Sequence, residues 1–161
     1  MPERTGRTVL LTGMSGTGKS TVVAGLRARG IRAVDADDEG LVRELPDRTE
    51  LRVDLLTELV TGAREPFVLA ACGDGQGALH PLVDHVVLLS APWPVLEHRL
   101  QTRAGNPFGR TAGQRERIRA DLAEVEPLLR RAADTEIVTT LPVGQVVSQV
   151  AGLALGRSGQ P

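Results

Sequence analysis

Eight residues, Gly13-Met14-Ser15-Gly16-Thr17-Gly18-Lys19-Ser20, constrain the fold more than any other stretch of the chain. They satisfy the pattern G-x-x-x-x-G-K-[ST] at each fixed position, and the flanks supply the context that this pattern requires. Before them, residues 8–12 (TVLLT) are a β-branched and aliphatic run that reads as a buried parallel strand. After them, residues 21–29 place Val22, Val23 and Leu26 at helical spacing and stop at Gly30, a C-terminal cap. Strand, glycine loop and helix follow in the order of a phosphate-binding P-loop (Walker A).

The residue types explain what such a loop does. Glycines let the backbone wrap closely around an anion, and the loop amides with the helix N-terminus form a phosphate nest. The sequence thus assigns nucleotide binding to Gly13, Ser15, Gly16, Thr17, Gly18, Lys19, Ser20 and Thr21. Lys19 would reach the β- and γ-phosphates, and the Ser20 hydroxyl would ligate Mg²⁺. Lys19 is the only lysine in the chain, beside eighteen arginines. A chain that uses arginine everywhere else keeps a compact ammonium in the one cradle where a planar guanidinium is a poor substitute.

Composition narrows the class. With 161 residues the chain reads as one domain with a substantial core. A formal net charge of −1 gives no general attraction to polyanions or anionic membranes. One Trp, two Phe and no Tyr leave few stacking platforms for single-stranded nucleic acid, so no nucleic-acid partner is expected. The single cysteine, Cys72, forms no intrachain disulfide framework. No stretch reads as a signal peptide or a membrane span, and a cytoplasmic protein is expected. Oligomeric state is left open.

Strands and helices alternate along the chain. Residues 31–34 read as a second strand ending in Asp35-Ala36-Asp37-Asp38, and residues 41–44 as a short helix broken by Pro46. Residues 50–60 place Leu51, Leu55 and Leu59 four apart, an amphipathic helix closed by Gly62. Further strands are expected at 67–71, 86–89 and 136–138, and helices at 92–102, 114–133 and 143–155. The helix at 114–133 carries an apolar stripe of Ile118, Leu122, Val125 and Leu129, with Pro127 expected to kink it. Between the helices at 92–102 and 114–133, residues 104–109 form a turn segment flanked by Arg103 and Arg110, within a loop running over about 104–113, and the tail 156–161 should fray. The alternation implies an α/β fold, a five-stranded parallel sheet covered by helices on both faces.

In such sheets ligands bind beyond the carboxyl ends of the strands. The phosphate loop, Asp35-x-Asp37 and Gly73-Asp74-Gly75 all fall there. No strand ends in D-x-x-G, no N-K-x-D is present, and residues 67–71 lack the terminal Asp of a Walker B strand. Those absences argue against a GTPase switch or a mechanical ATPase and leave a small-molecule kinase. His80, His85 and His98 have no ligand spacing, so no zinc site is expected.

From Thr8 to about Val147 the chain resembles the shikimate kinase-like branch of the P-loop small-molecule kinases, relatives of gluconate and nucleoside monophosphate kinases. The resemblance implies a three-layer fold with strand order 2-3-1-4-5, a short lid, and ATP and Mg²⁺ as cofactors. It also implies that Asp35 sits near Mg²⁺ and that Asp37 contacts the acceptor hydroxyl as general base. Gly73-x-Gly75 partly matches the branch's glycine triplet, with Asp74 in the middle position. Arg103 and Arg110 keep the spacing of the two lid arginines, the first against the adenine and the second closing onto the phosphates. Arg52 falls near an acceptor-binding arginine; a solvated helix residue is the equal alternative.

Two departures bear on the acceptor. Val125 stands two residues before Pro127, where the branch carries an arginine for the shikimate carboxylate. The segment between the second strand and Arg52 is also short. The sequence therefore implies phosphoryl transfer from ATP to a hydroxyl of a small metabolite other than shikimate. Two alternatives stay open: a nucleoside or nucleoside monophosphate kinase, and a regulatory module that binds ATP without turning it over.

Overall fold

The structure, a computed structural model, describes residues 3–104 and 107–157. Gly105 and Asn106 of the expected lid, residues 158–161 of the expected frayed tail, and Met1 and Pro2 lie outside the described residues.

Strands β1 (Thr8–Thr12), β2 (Arg32–Asp35), β5 (Phe67–Ala70), β6 (His85–Ser90) and β7 (Thr135–Val138) form one sheet in the order β2-β5-β1-β6-β7. Every pairing in it is parallel. Numbered among themselves, the five strands run 2-3-1-4-5, the expected order. Parallel strands buried on both faces need apolar residues at successive positions, and β1 supplies them: Val9, Leu10 and Leu11 are all fully buried.

The period-2 alternation of the strands sends their side chains into two cores. On one face Val9, Leu11 and Val68 meet Val22, Val23 and Leu26 of α1 (Lys19–Ala28) and Val147 and Val150 of α5 (Val143–Ala154). On the other, Leu10, Phe67 and Leu69 meet Leu56 and Val60 of α2 (Val53–Gly62). Helices α3 (Trp93–Thr102) and α4 (Ala112–Ala132) complete the layers, α4 lying against β6. Among the described residues no helix is long and apolar enough to cross a membrane.

One expected element has the wrong type. Residues 41–44 are not a short helix; Val42–Glu44 is strand β3, paired antiparallel with β4 (Thr49–Leu51). Four residues cannot repay helix nucleation, whereas the Pro46-Asp47 turn returns the chain on itself, with the Leu45 amide donating to the Arg48 carbonyl at 2.9 Å. The second helix consequently starts at Val53 rather than residue 50. Its buried stripe is Leu56 and Val60, with Leu55 and Leu59 only half-buried, and Leu51 is buried from the strand instead. Helix α4 runs on through Pro127, burying Ile118 and Leu129 of its expected stripe. The other boundaries agree within about two residues.

An exposed ion cluster ties α4 to β7. Arg130 donates to Glu136 at 2.6 Å and to Glu126 at 2.8 Å. The Arg130 hydrogen bond holds the Glu136 carboxyl below its usual range. A carboxylate depressed in the folded state stabilises above its unfolded pKa and loses that contribution as pH falls through the folded value. Glu136→Gln should therefore cost no more than about 1 kcal/mol at neutral pH by urea denaturation. The difference should vanish in acid below the carboxylate range; an equal difference at both pH values would contradict the pairing.

Candidate active site

The register sets the site. Leu11 of β1 lies beside Ala70 of β5, and Ala70 beside Asp35 of β2. The three strands thus end level, and the phosphate loop, residues 35–38 and residues 72–75 leave the same edge of the sheet side by side. This is the convergence expected of them.

The phosphate loop is built from backbone. Gly16 and Gly18 have φ of 86° and 102°, left-handed values open to glycine. At Gly13 a Cβ would lie 2.6 Å from the Leu89 carbonyl oxygen and 2.7 Å from Thr17 Oγ1. The Thr17 hydroxyl donates to the Met14 carbonyl at 2.8 Å, closing the loop. The Lys19 ammonium donates to the carbonyls of Gly13 and Met14, so it lies over the mouth of the loop.

Ser20 and Asp35, distant in sequence, meet here. The Ser20 hydroxyl donates to Asp35 Oδ2 at 2.7 Å, and the Asp37 amide donates to Asp35 Oδ1 at 3.1 Å. Asp35 is 3% exposed, so both carboxylate oxygens are engaged in an almost buried position. Among the described residues no group of three or more His, Cys, Asp or Glu could hold a metal by itself. The pair offers only hard oxygen donors, and few of them. That fits Mg²⁺, which takes one or two protein oxygens and fills its octahedron with substrate phosphates and water.

Asp37 stands exposed at the rim. Crowding of its carboxyl by protein raises its pKa, which Lys19 opposes and Asp35, Glu44 and Asp38 reinforce. Glu44 belongs to β3, so the hairpin contributes charge to this site.

The acceptor candidates are arranged differently from expectation. Arg52 occupies the N-cap position of α2 without a side-chain capping bond, and donates weakly to the Gly40 carbonyl at 3.5 Å. With Arg43, Glu50, Asp54, Asp74 and Gly75 it lines an open depression of about 470 Å³, and Asp37 is not among the lining residues. Asp74 forms a single parallel bridge to Glu50 of the hairpin: the Asp74 amide donates to the Thr49 carbonyl and the Leu51 amide to the Asp74 carbonyl, each at 2.9 Å. A Cβ on Gly73 would lie 2.8 Å from the Thr49 oxygen. The Asp74 carboxylate pairs with Arg48 Nε at 3.1 Å.

The lid arginines are together but lie on each other. Arg103 donates to the Phe108 carbonyl at 2.5 Å and Arg110 to the Arg103 carbonyl at 2.9 Å. Partial burial and the Arg110 charge lower the Arg103 pKa below the usual guanidinium range. Thr111 and Gln114 form a capping box that starts α4 and closes the lid's far end. Sequence reasoning missed Arg99, whose guanidinium bonds the Gly16 carbonyl at 3.2 Å and the Thr139 carbonyl at 2.6 Å. The available signal was its place one helical turn before Arg103. Of the other candidates, His80 and His85 are hydrogen-bonded to Gln76 and Thr135, and Trp93 takes the Arg119 guanidinium over its ring.

No protein-family model matches the chain. A shikimate kinase of Nitrobacter winogradskyi is 31% identical over 166 aligned residues, covering 92% of this chain and 77% of that enzyme. The chain belongs to the shikimate kinase family. A putative pre-16S rRNA nuclease of Clavibacter sepedonicus is 36% identical over only 45% of the chain and 44% of its own length. Among solved structures, shikimate kinase from Acinetobacter baumannii, in complex with shikimate, superposes with a TM-score of 0.62 at 20% identity, covering 93% of each chain. A gluconokinase from Sinorhizobium meliloti gives 0.61 at 19% identity over 96% of this chain and 94% of that one. At those identities the structures establish the shared fold, while family membership makes this shikimate kinase relative a small-molecule kinase.

The contact of residues 73–75 with the hairpin can be tested directly. Gly73→Ala should destabilise by about 1–3 kcal/mol, because the added methyl meets a ladder carbonyl rather than a movable side chain. A urea midpoint equal to wild type would show that the loop does not pack as described.

Proposed function

We propose that this shikimate kinase relative uses ATP and Mg²⁺ to phosphorylate a hydroxyl of a small metabolite other than shikimate. One observation carries the reading. The hydroxyl of Ser20 and the buried carboxylate of Asp35 meet at 2.7 Å beside the phosphate loop, and Asp37 follows two residues later at the rim.

In this reading the amides of Gly13, Ser15, Gly16, Thr17 and Gly18, with Ser20 and Thr21 at the start of α1, cradle the phosphates. Lys19 neutralises charge between the β- and γ-phosphates. Ser20 and Asp35 would hold Mg²⁺, which would supply positive charge to offset that of the phosphates. Asp37 orients the acceptor hydroxyl and takes its proton as that oxygen attacks the γ-phosphorus. The bond to the β,γ-bridging oxygen breaks and ADP leaves. The raised pKa of Asp37 makes it a better base than an ordinary aspartate. Arg103 lies against the adenine, and Arg110 exchanges the Arg103 carbonyl for the transferring group when the lid closes.

The acceptor side argues against a carboxylate such as shikimate. Val125 supplies no cation two residues before Pro127, and the β3–β4 hairpin occupies the short stretch between β2 and α2. Asp74 weighs less in this argument, because Arg48 pairs with its charge. Arg52, Gly73, Asp74 and Gly75 border the acceptor in this reading.

Asp37→Asn should keep nucleotide affinity within a few-fold and lower kcat by about 10²–10⁴, the range for losing a general base. Near-normal turnover would remove Asp37 from the mechanism. Lys19→Ala should lower kcat by about 10²–10³ and weaken ATP binding, the range for removing one electrostatic contact to developing charge. Unchanged binding and rate, measured by coupled ADP release, would contradict the phosphate role of the loop.

A further inference from the structure

We propose that Arg99 is a positioning residue for the nucleotide, clamping the Gly16–Thr17 peptide of the phosphate loop against the end of β7. The inference rests on the reading that this loop binds the nucleotide's phosphates.

The geometry is a three-point clamp. From α3, Arg99 Nη1 donates to the Gly16 carbonyl at 3.2 Å and to Thr139 Oγ1 at 2.9 Å, while Nη2 donates to the Thr139 carbonyl at 2.6 Å. The anchor is fixed in turn. Thr139 is buried, and its amide donates to the Ser90 carbonyl at the end of β6 at 2.8 Å. One planar guanidinium therefore spans the phosphate loop and the edge of the central sheet.

The peptide it holds needs holding. Gly16 has φ of 86°, where glycine rotates cheaply, and a Cβ placed there would meet Leu100 and Leu96 only at ordinary contact distances of 3.5 to 3.7 Å. On the Thr17 side the peptide is held to the Met14 carbonyl; on the Gly16 carbonyl side the Arg99 hydrogen bond supplies the hold. In a planar trans peptide the N–H points opposite to the C=O. Pinning the Gly16 carbonyl outward toward Arg99 therefore keeps the Thr17 amide turned inward, where it donates to the Met14 carbonyl at 3.3 Å. That inner side is the one the Lys19 ammonium covers. The clamp thus fixes the direction of an amide in the phosphate nest without touching the nucleotide.

Arg99 also links this peptide to the lid. The Arg103 amide donates to the Arg99 carbonyl at 2.9 Å, so the last turn of α3 carries the clamp and the first lid arginine together.

The test is mant-ADP binding by fluorescence, set against the melting temperature without nucleotide, for wild type, Arg99→Met and Arg99→Lys. Arg99→Met should weaken ADP by about 10–100-fold, the range for losing a hydrogen bond to a charged group. Arg99→Lys should recover little of the loss, because one compact ammonium cannot span two carbonyls. A lowered melting temperature with unchanged ADP affinity would reduce Arg99 to a structural tie and overturn the proposal. Full recovery in Arg99→Lys would overturn the clamp in favour of bare charge. If Arg99→Met does not fold, Arg99→Lys alone decides on the same affinity criterion. A wild-type protein that fails to bind mant-ADP would overturn the nucleotide reading itself, and this inference with it.

Discussion

A carboxylate taken out of water must have its oxygens hydrogen-bonded, and at Asp35 that requirement organises the catalytic edge. One oxygen accepts from Ser20 at the start of α1, the other from the Asp37 amide. The first bond ties the phosphate-loop helix to a strand two places away in the sheet. The second sets the turn that puts Asp37 at the rim. Parallel pairing through β5 brings these groups level, and the two cores on either face keep the strands in that register. Arg27 of α1 adds a second tie, donating to the Ala33 carbonyl of β2 at 2.9 Å and pairing with Glu39 beyond the turn at 3.0 Å.

The two sides of the site are built on different physics. The phosphate side is backbone: left-handed glycines, a closed hydroxyl–carbonyl contact and an arginine clamp. Its left-handed glycines are why a short motif can specify it. The other side, which we propose takes the acceptor, is a small antiparallel hairpin bridged to Asp74, with exposed charges of both signs along its surface. Such a surface carries no fixed signature and can change substrate with few substitutions.

That contrast explains what could be read from sequence. The phosphate loop and the strand–helix alternation were legible because a glycine pattern and buried apolar runs leave few topologies open, and the strand order was implied by the family resemblance. Topology brought the loop of Asp35 to the phosphate loop, and the resemblance implied that Asp35 lies on the Ser20 side of it. The hairpin was not legible. Val42, Arg43 and Glu44 are too few to show a period, and their strand state depends on pairing with Leu51, Glu50 and Thr49 across a turn. The stripe of α2 slipped for the same reason, since Leu51 belongs to the hairpin and not to the helix. Arg99 was hidden among eighteen arginines, its role set by carbonyls that no sequence pattern names.

The central claim is that the phosphate loop and Asp37 together transfer a phosphoryl group to a small hydroxylated acceptor. The most direct measurement is mass spectrometry of pooled acceptors after incubation with the protein and Mg·ATP. The pools would hold shikimate-like acids, sugar acids, sugars, nucleosides, nucleoside monophosphates and hydroxylated natural products. The account predicts one compound outside the shikimate-like acids gaining the mass of a single phosphoryl group, with matching ADP. Tight ATP binding with no phosphorylated product above the water background in any pool would contradict it and favour a module that binds ATP without transferring it.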